Sequence, residues 1–262
     1  MDGDTIPYRK MRLLREGVVT AVFHAVDDNG AEVIVKRLNR SKGAATDLLG
    51  VRRFEREIAL STMVDHPGLA RVTGHGANWI AFEYLEHPAA DAERNKALAS
   101  PAGISRLIGD LSDTLAYLHA RGVVHRDVKP AHVMFRGKQP VLIDLGVAGL
   151  LGDDPLDGAE LVGSPAWMAP EQIAGAKATP AADIWSLCAV GTALVRGRAL
   201  YSGSAEEVLN QRRNEAPDLL YLSGYLEDAP DLKALLEAGL GEVSARPKAA
   251  TIAGALRLVR SG

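Results

Sequence analysis

The hydrophobic pattern of this chain is mostly strand-like in its first third and helical after it, and that division narrows the folds open to it. Between residues 11 and 38 the apolar residues fall in short β-branched runs, "VVTAVFHAV" and then "AEVIVKRL", separated by "DDNG". Strand side chains return to the same face every second residue, and Asn29-Gly30 between two such runs signals a hairpin. Residues 51–64 switch to helical spacing, with Val51, Phe54 and Ile58 on one face, until Pro67 and Gly68 in "DHPG" end the helix. Two more short strands are predicted in "ARVTGH" and "WIAFEYL".

After "EHPAADAERN" the period stays near 3.6. Ser100-Pro101 reads as an N-cap followed by Pro at the first helical position. Ile104, Leu107, Ile108, Leu111, Leu115 and Leu118 recur at helix spacing, and Gly122 closes the helix. Residues 181–196 are apolar nearly all round, as in a helix buried on every side. Amphipathic helices are predicted at 204–214, 230–239 and 248–260. The fold class is therefore α+β. A small antiparallel sheet lobe with one main helix spans residues 1–85, and a larger, mainly helical lobe spans residues 86–262. Together they make one domain, with a ligand cleft expected near residues 83–88.

Composition removes some functions. The 262 residues carry a formal net charge of −3, which gives no whole-chain reason to bind nucleic acid. The single cysteine, Cys188, rules out an intrachain disulfide and a cysteine zinc site. The start "MDGDTIPYRK" lacks the apolar core of a signal peptide, and the apolar run at 184–195 is too short to span a bilayer. A cytoplasmic location and no membrane segment in this chain are expected.

Eight pieces then occur in order: "EVIVK", "RFEREI", "FEYL", "HRDVKP", "IDLG", "GSPAWMAPE", "ADIWSL" and "SARP". In this order and spacing the chain, from about residue 8 to 258, resembles a eukaryotic-type protein kinase domain, most like the bacterial serine/threonine kinases. The resemblance implies ATP as phosphoryl donor, Mg²⁺ or Mn²⁺ as cofactor, and a protein with a Ser or Thr hydroxyl as acceptor. It implies that Lys36 holds the donor's phosphates and pairs with Glu57. Asp127 is expected to orient the attacking hydroxyl and take its proton, with Lys129 beside the transferred group and Ser164 helping to seat the acceptor. Asp144 of "DLG" is expected to bind the metal. Backbone groups of Glu83 and Leu85 are expected at the adenine edge, with Phe82 behind it. His125, Asp183 and the pair Glu171–Arg246 are expected to be architectural.

Four departures from the family pattern bear on activity. The phosphate-covering loop falls on "REGVVTAV", where Gly17 and Val22 match but Arg15 and Thr20 replace the outer glycines. Glycines there let backbone N–H groups approach phosphate closely. Ile34 stands where a small Ala usually touches the adenine face. His132 stands where a metal-binding Asn is usual; imidazole is a poor ligand for Mg²⁺ and a better one for Mn²⁺. Two readings of His132 stay open, an altered ligand or a residue that only fills the position. Finally, no Ser, Thr or Tyr lies between Asp144 and Gly163, so that stretch cannot be switched by phosphorylation. Arg126, the usual receiver of such a phosphate, is present, and two readings of Asp153, Asp154, Asp157 and Glu160 stay open: one of them pairs with Arg126 and holds the loop, or they form a solvated acidic loop. The main expectation is a slow, Mn²⁺-preferring serine/threonine kinase. The alternative is a pseudokinase serving as a nucleotide-binding or scaffold module.

Overall fold

The computed structural model of the protein describes residues 6–39, 48–86, 92–153, 163–177 and 179–261. The chain divides into two compact units. One comprises Met1–Glu86 and Asp144–Gly146; the other comprises His87–Ile143 and Val147–Gly262.

Among the described residues the first unit holds a five-stranded antiparallel sheet and one helix. Strands β1 (Arg9–Glu16), β2 (Thr20–Val26), β3 (Glu32–Leu38), β4 (Val72–His75) and β5 (Trp79–Glu83) lie in the order β1-β2-β3-β5-β4. The β2–β3 hairpin turns at Asp27–Ala31, where the Asp27 carboxylate accepts from the N–H groups of Asn29 and Ala31 and Gly30 takes φ +87°. Strand alternation divides β3 between two cores. Val33 and Val35 pack with Ala25, Trp79 and Ala81 on one face. Leu38 packs on the other face with Ile80 and with Phe54 of α1 (Leu48–Met63). Lys36 shares the parity of Leu38, so the period of two puts it on the face that α1 covers.

The second unit is helical, with two short ribbons. Its helices are α2 (Ala92–Ala99), α3 (Pro101–Ala120), α4 (Pro170–Ile173), α5 (Pro180–Arg196), α6 (Ala205–Asn214), α7 (Tyr221–Tyr225), α8 (Pro230–Gly239) and α9 (Ala249–Ser261). Ser100 caps α3, its hydroxyl accepting from the Gly103 N–H, and Gly122 follows the helix with φ +72°. The six apolar positions expected on the inner face of α3 are all buried. Helix α5 is buried from Ala182 to Thr192 without interruption, Cys188 included. Helix α2 begins inside "EHPAADAERN", which the sequence pattern treats as preceding the helical part, while residues 87–91 of that stretch lie outside the described residues. Among the described residues no helix is long and apolar enough to cross a membrane.

The ribbons β6–β9 (Val123–Val124 with Gly149–Leu150) and β7–β8 (Val133–Arg136 with Gln139–Leu142) frame the loop 125–132. The chain leaves β8 and passes into the first unit at Asp144.

Candidate active site

In the first unit three charged groups converge. Lys36 Nζ donates to both Glu57 carboxylate oxygens, at 2.8 and 2.7 Å, and lies 3.3 Å from Asp144 Oδ1. Glu57 is 2% exposed. Burial pushes its carboxyl up to about 7, with the negative charge of Asp144 adding to the rise, against the pull of Lys36. Burial also works against the charge of Lys36, but the two carboxylates outweigh it and hold its ammonium above the ordinary lysine range.

Asp144 has φ +67°, in the left-handed region that a residue with a Cβ enters at a cost of ~1–3 kcal/mol. Its Oδ1 accepts from the Gly146 N–H at 3.0 Å. A Cβ at Gly146 would lie 2.8 Å from Asp144 Oδ1, 3.2 Å from Glu57 Oε2 and 3.3 Å from Lys36 Nζ. Only glycine lets the backbone come this close to all three groups.

The other first-unit candidates are placed as follows. Gly17 donates its N–H to the Thr20 carbonyl at 2.8 Å, so the tip between β1 and β2 is hydrogen-bonded on itself. Val22 sits opposite Arg15 on β1 and Lys36 on β3, and Ile34 sits opposite Phe82. Phe82 packs against the core beneath α1. The Glu83 N–H donates to the Arg71 carbonyl, its carboxylate accepts from the Arg71 N–H and guanidinium, and Leu85 is buried.

In the second unit the loop 125–132 is built around Asp127. Lys129 Nζ donates to Asp127 Oδ2 at 2.6 Å and to Ser164 Oγ at 2.9 Å. Asp127 Oδ1 is buried and has no hydrogen-bond partner among the described residues. His132 sits 2.9 Å from the Asp127 main-chain carbonyl through Nδ1. A carbonyl only accepts, so Nδ1 must carry the proton. His125 is fully buried; its Nδ1 accepts from the Asp127 N–H at 3.3 Å, which leaves Nε2 to donate to the Ile143 carbonyl at 3.2 Å.

Asp183, in the first turn of α5, is the anchor of this loop. It accepts from the N–H groups of His125 and Arg126 and from His119 Nε2, each at 2.8 Å. Burial alone would raise its carboxyl; the His119 hydrogen bond and the neighbouring imidazoles outweigh that and hold it below the usual range. Arg126, between these contacts, has φ +68°. Its carbonyl accepts from Gln172 Nε2 at 2.9 Å, and its guanidinium packs so closely over Gly149 that a Cβ there would lie 2.5 Å away. Arg246 pairs with Glu171 through two contacts, 2.5 and 3.0 Å, and donates to the Ala181 and Gly241 carbonyls. Of the four acids considered as partners of Arg126, Asp153 accepts from the Leu150 N–H at 2.9 Å. Asp154, Asp157 and Glu160 lie outside the described residues.

Sequence reasoning missed three residues here. His119 and Gln172 complete the holding of Arg126, and Arg212 of α6 bonds the carbonyls of Pro165 and Met168. None lies within a recognisable motif; only Gln172, directly after "APE", was within reach of one.

The lysine–glutamate–aspartate cluster at an Asp-Leu-Gly turn in one unit, and the Asp–Lys pair of a His-Arg-Asp loop with its serine partner in the other, are each features of a protein kinase. The chain belongs to that family: the protein kinase domain matches residues 8–233. Among its relatives is the serine/threonine-protein kinase PknA of Mycobacterium tuberculosis, 30% identical over 223 residues, which is 80% of this chain and 51% of that protein. Another is the serine/threonine-protein kinase PkaA of Streptomyces coelicolor, 31% identical over 253 residues, 89% of this chain and 44% of that one. The chain spans about half the length, or less, of these curated relatives.

Proposed function

We propose that this chain transfers the γ-phosphoryl group of ATP to a serine or threonine hydroxyl of a protein. The observation that carries the reading is Asp127. Lys129 holds Oδ2, so the carboxylate is fixed in direction, and the buried Oδ1 is left for an incoming hydroxyl. Oδ1 takes the hydroxyl proton as the acceptor oxygen bonds to the γ-phosphorus and the bond to the β-phosphate oxygen breaks, releasing ADP. Lys129 keeps a cation beside the moving charge, and Ser164 shares that cation. Lys36, aimed by Glu57, takes the donor's phosphates.

A divalent cation supplies charge neutralisation between the phosphates when bound. Asp144 fits it: its side chain is 38% exposed and offers hard oxygen. Among the described residues there is no cluster of three or more His, Cys, Asp or Glu that could hold a metal ion, so Asp144 would be the residue to hold it. His132 spends Nδ1 on the loop carbonyl, so its first task is to hold the loop.

One observation favours the second reading, a pseudokinase. The Gly17 N–H is turned to Thr20, so the tip that would cover phosphate is already satisfied within itself. The intact Lys36–Glu57–Asp144 cluster supports the active reading over it. The test is transfer from labelled ATP to the chain itself and to a basic protein, with Mg²⁺ and Mn²⁺ separately, beside Asp127→Asn. Transfer lost in Asp127→Asn is expected. No transfer with either metal turns the assignment to the pseudokinase.

A further inference from the structure

The geometry points to Arg212 as a positioning residue for the acceptor polypeptide, an inference that rests on the kinase reading. Helix α6 is set by a full capping box, Ser204 Oγ accepting from the Glu207 N–H and Glu207 Oε2 accepting from the Ser204 N–H. Near its end, the Arg212 guanidinium packs over two rings, 4.2 Å from the centroid of Trp185 and 4.8 Å from that of Tyr201. One nitrogen, Nη1, donates to the carbonyls of Pro165 (3.2 Å) and Met168 (2.6 Å). Burial pulls the guanidinium down to about 10, which leaves it charged at neutral pH. Its Nη2 is buried and has no hydrogen-bond partner among the described residues. A donor left in that condition is costly, so packing alone is a poor reason to keep an arginine here.

What the arginine holds is the turn that carries Ser164. The Trp167 N–H donates to the Ser164 carbonyl at 2.9 Å, and Ser164 Oγ accepts from Lys129. The Met168 methyl packs over Gly163, where a Cβ would be 2.6 Å from it and 3.4 Å from Asp127 Oδ1. The turn 163–168 thus lies against the carboxylate oxygen that receives the acceptor proton, and Arg212 ties down its far side by two carbonyls. The hydrogen bonds of Arg212 go to the turn, at Pro165 and Met168, so it acts through the turn. Lysine is not an equivalent replacement, because a compact ammonium lacks the planar guanidinium that packs against two rings.

The experiment measures KM for ATP and KM and kcat for a histone acceptor in the wild type, Arg212→Met and Arg212→Lys. Thermal denaturation reports whether each variant is folded, and Arg212→Lys carries the test if Arg212→Met is not. The expected result is a rise of about tenfold or more in KM for histone with KM for ATP within twofold, together with faster amide exchange in residues 163–169 and unchanged exchange in α5. Equal movement of both KM values, or of neither, in a wild type that transfers phosphate overturns the inference alone. Absence of transfer in the wild type is failure of the kinase reading and overturns the inference with it.

Discussion

The imidazole of His132 donates from Nδ1 to the main-chain carbonyl of Asp127, 2.9 Å away. The ring therefore braces the loop from within, at the position where the family pattern has an asparagine. An asparagine amide is also a donor, so His132→Asn keeps this bond while offering an oxygen, which a hard cation prefers. His132→Asn is expected to raise the Mg²⁺-dependent transfer rate severalfold, with stability unchanged within about 0.5 kcal/mol. His132→Ala is expected to lose about 1 kcal/mol and to lower transfer with either metal. Transfer assays in the two metals and urea denaturation check both; an unchanged rate in His132→Asn defeats this account of the residue.

The Glu57 carboxyl, raised to about 7 by burial, predicts a pH dependence. As pH falls through 7 the carboxyl takes a proton and the ion pair with Lys36 is lost, while Lys36 stays charged. Activity that depends on the pair therefore declines below pH 7. Stability moves the other way. Between about 4.5 and 7 the folded state binds more protons at this group than the unfolded chain, so its contribution declines as pH rises across that interval. Glu57→Gln is expected to lower activity at pH 8 and to remove both dependences. Profiles of activity and of denaturation midpoint from pH 5 to 9, compared between the two proteins, decide it.

Removing the Asp183 carboxylate leaves the buried N–H of His125, the partly buried N–H of Arg126 and His119 without their acceptor. Asp183→Ala is expected to cost about 3–5 kcal/mol and most of the activity, because the strained backbone of Arg126 is then free to relax. His119→Ala removes one donor and should cost less, about 1–2 kcal/mol. Urea denaturation that ranks the two variants in the opposite order contradicts the anchoring role.

Gly146→Ala tests the close approach in the Asp-Leu-Gly turn. The added carbon cannot fit 2.8 Å from Asp144 Oδ1, so the carboxylate or the backbone must move. Transfer is expected to fall about 100-fold or more while denaturation shifts by no more than about 2 kcal/mol. Wild-type activity in this variant would show that the placement of Asp144 does not matter for transfer.

Much of the fold was legible because it rests on local chemistry. The Asn29-Gly30 hairpin, the Ser100-Pro101 helix start and the fully apolar α5 follow from turn geometry, capping and periodicity, and each depends on neighbours in the chain. Most candidate site residues were likewise legible, since Lys36, Glu57, Asp127, Lys129, Asp144 and Asp183 stand in short recognisable motifs. His119 and Arg212 were not. A histidine in the last turn of a helix and an arginine on an amphipathic one are commonplace in sequence, and their partners lie 64 and 44–47 residues away.

The sequence alone therefore determined the strand and helix periods, the family and the candidate chemical groups, because these are carried by residue type and short spacing. Tertiary structure decided which groups meet. It folded Asp144–Gly146 onto the unit that holds Lys36 and Glu57, rotated His132 onto the Asp127 carbonyl, and held Arg126 and Asp144 in a left-handed backbone that neither residue prefers. Such placements are balances among packing, desolvation and hydrogen bonds from elements far apart in the chain, and no local pattern encodes that balance.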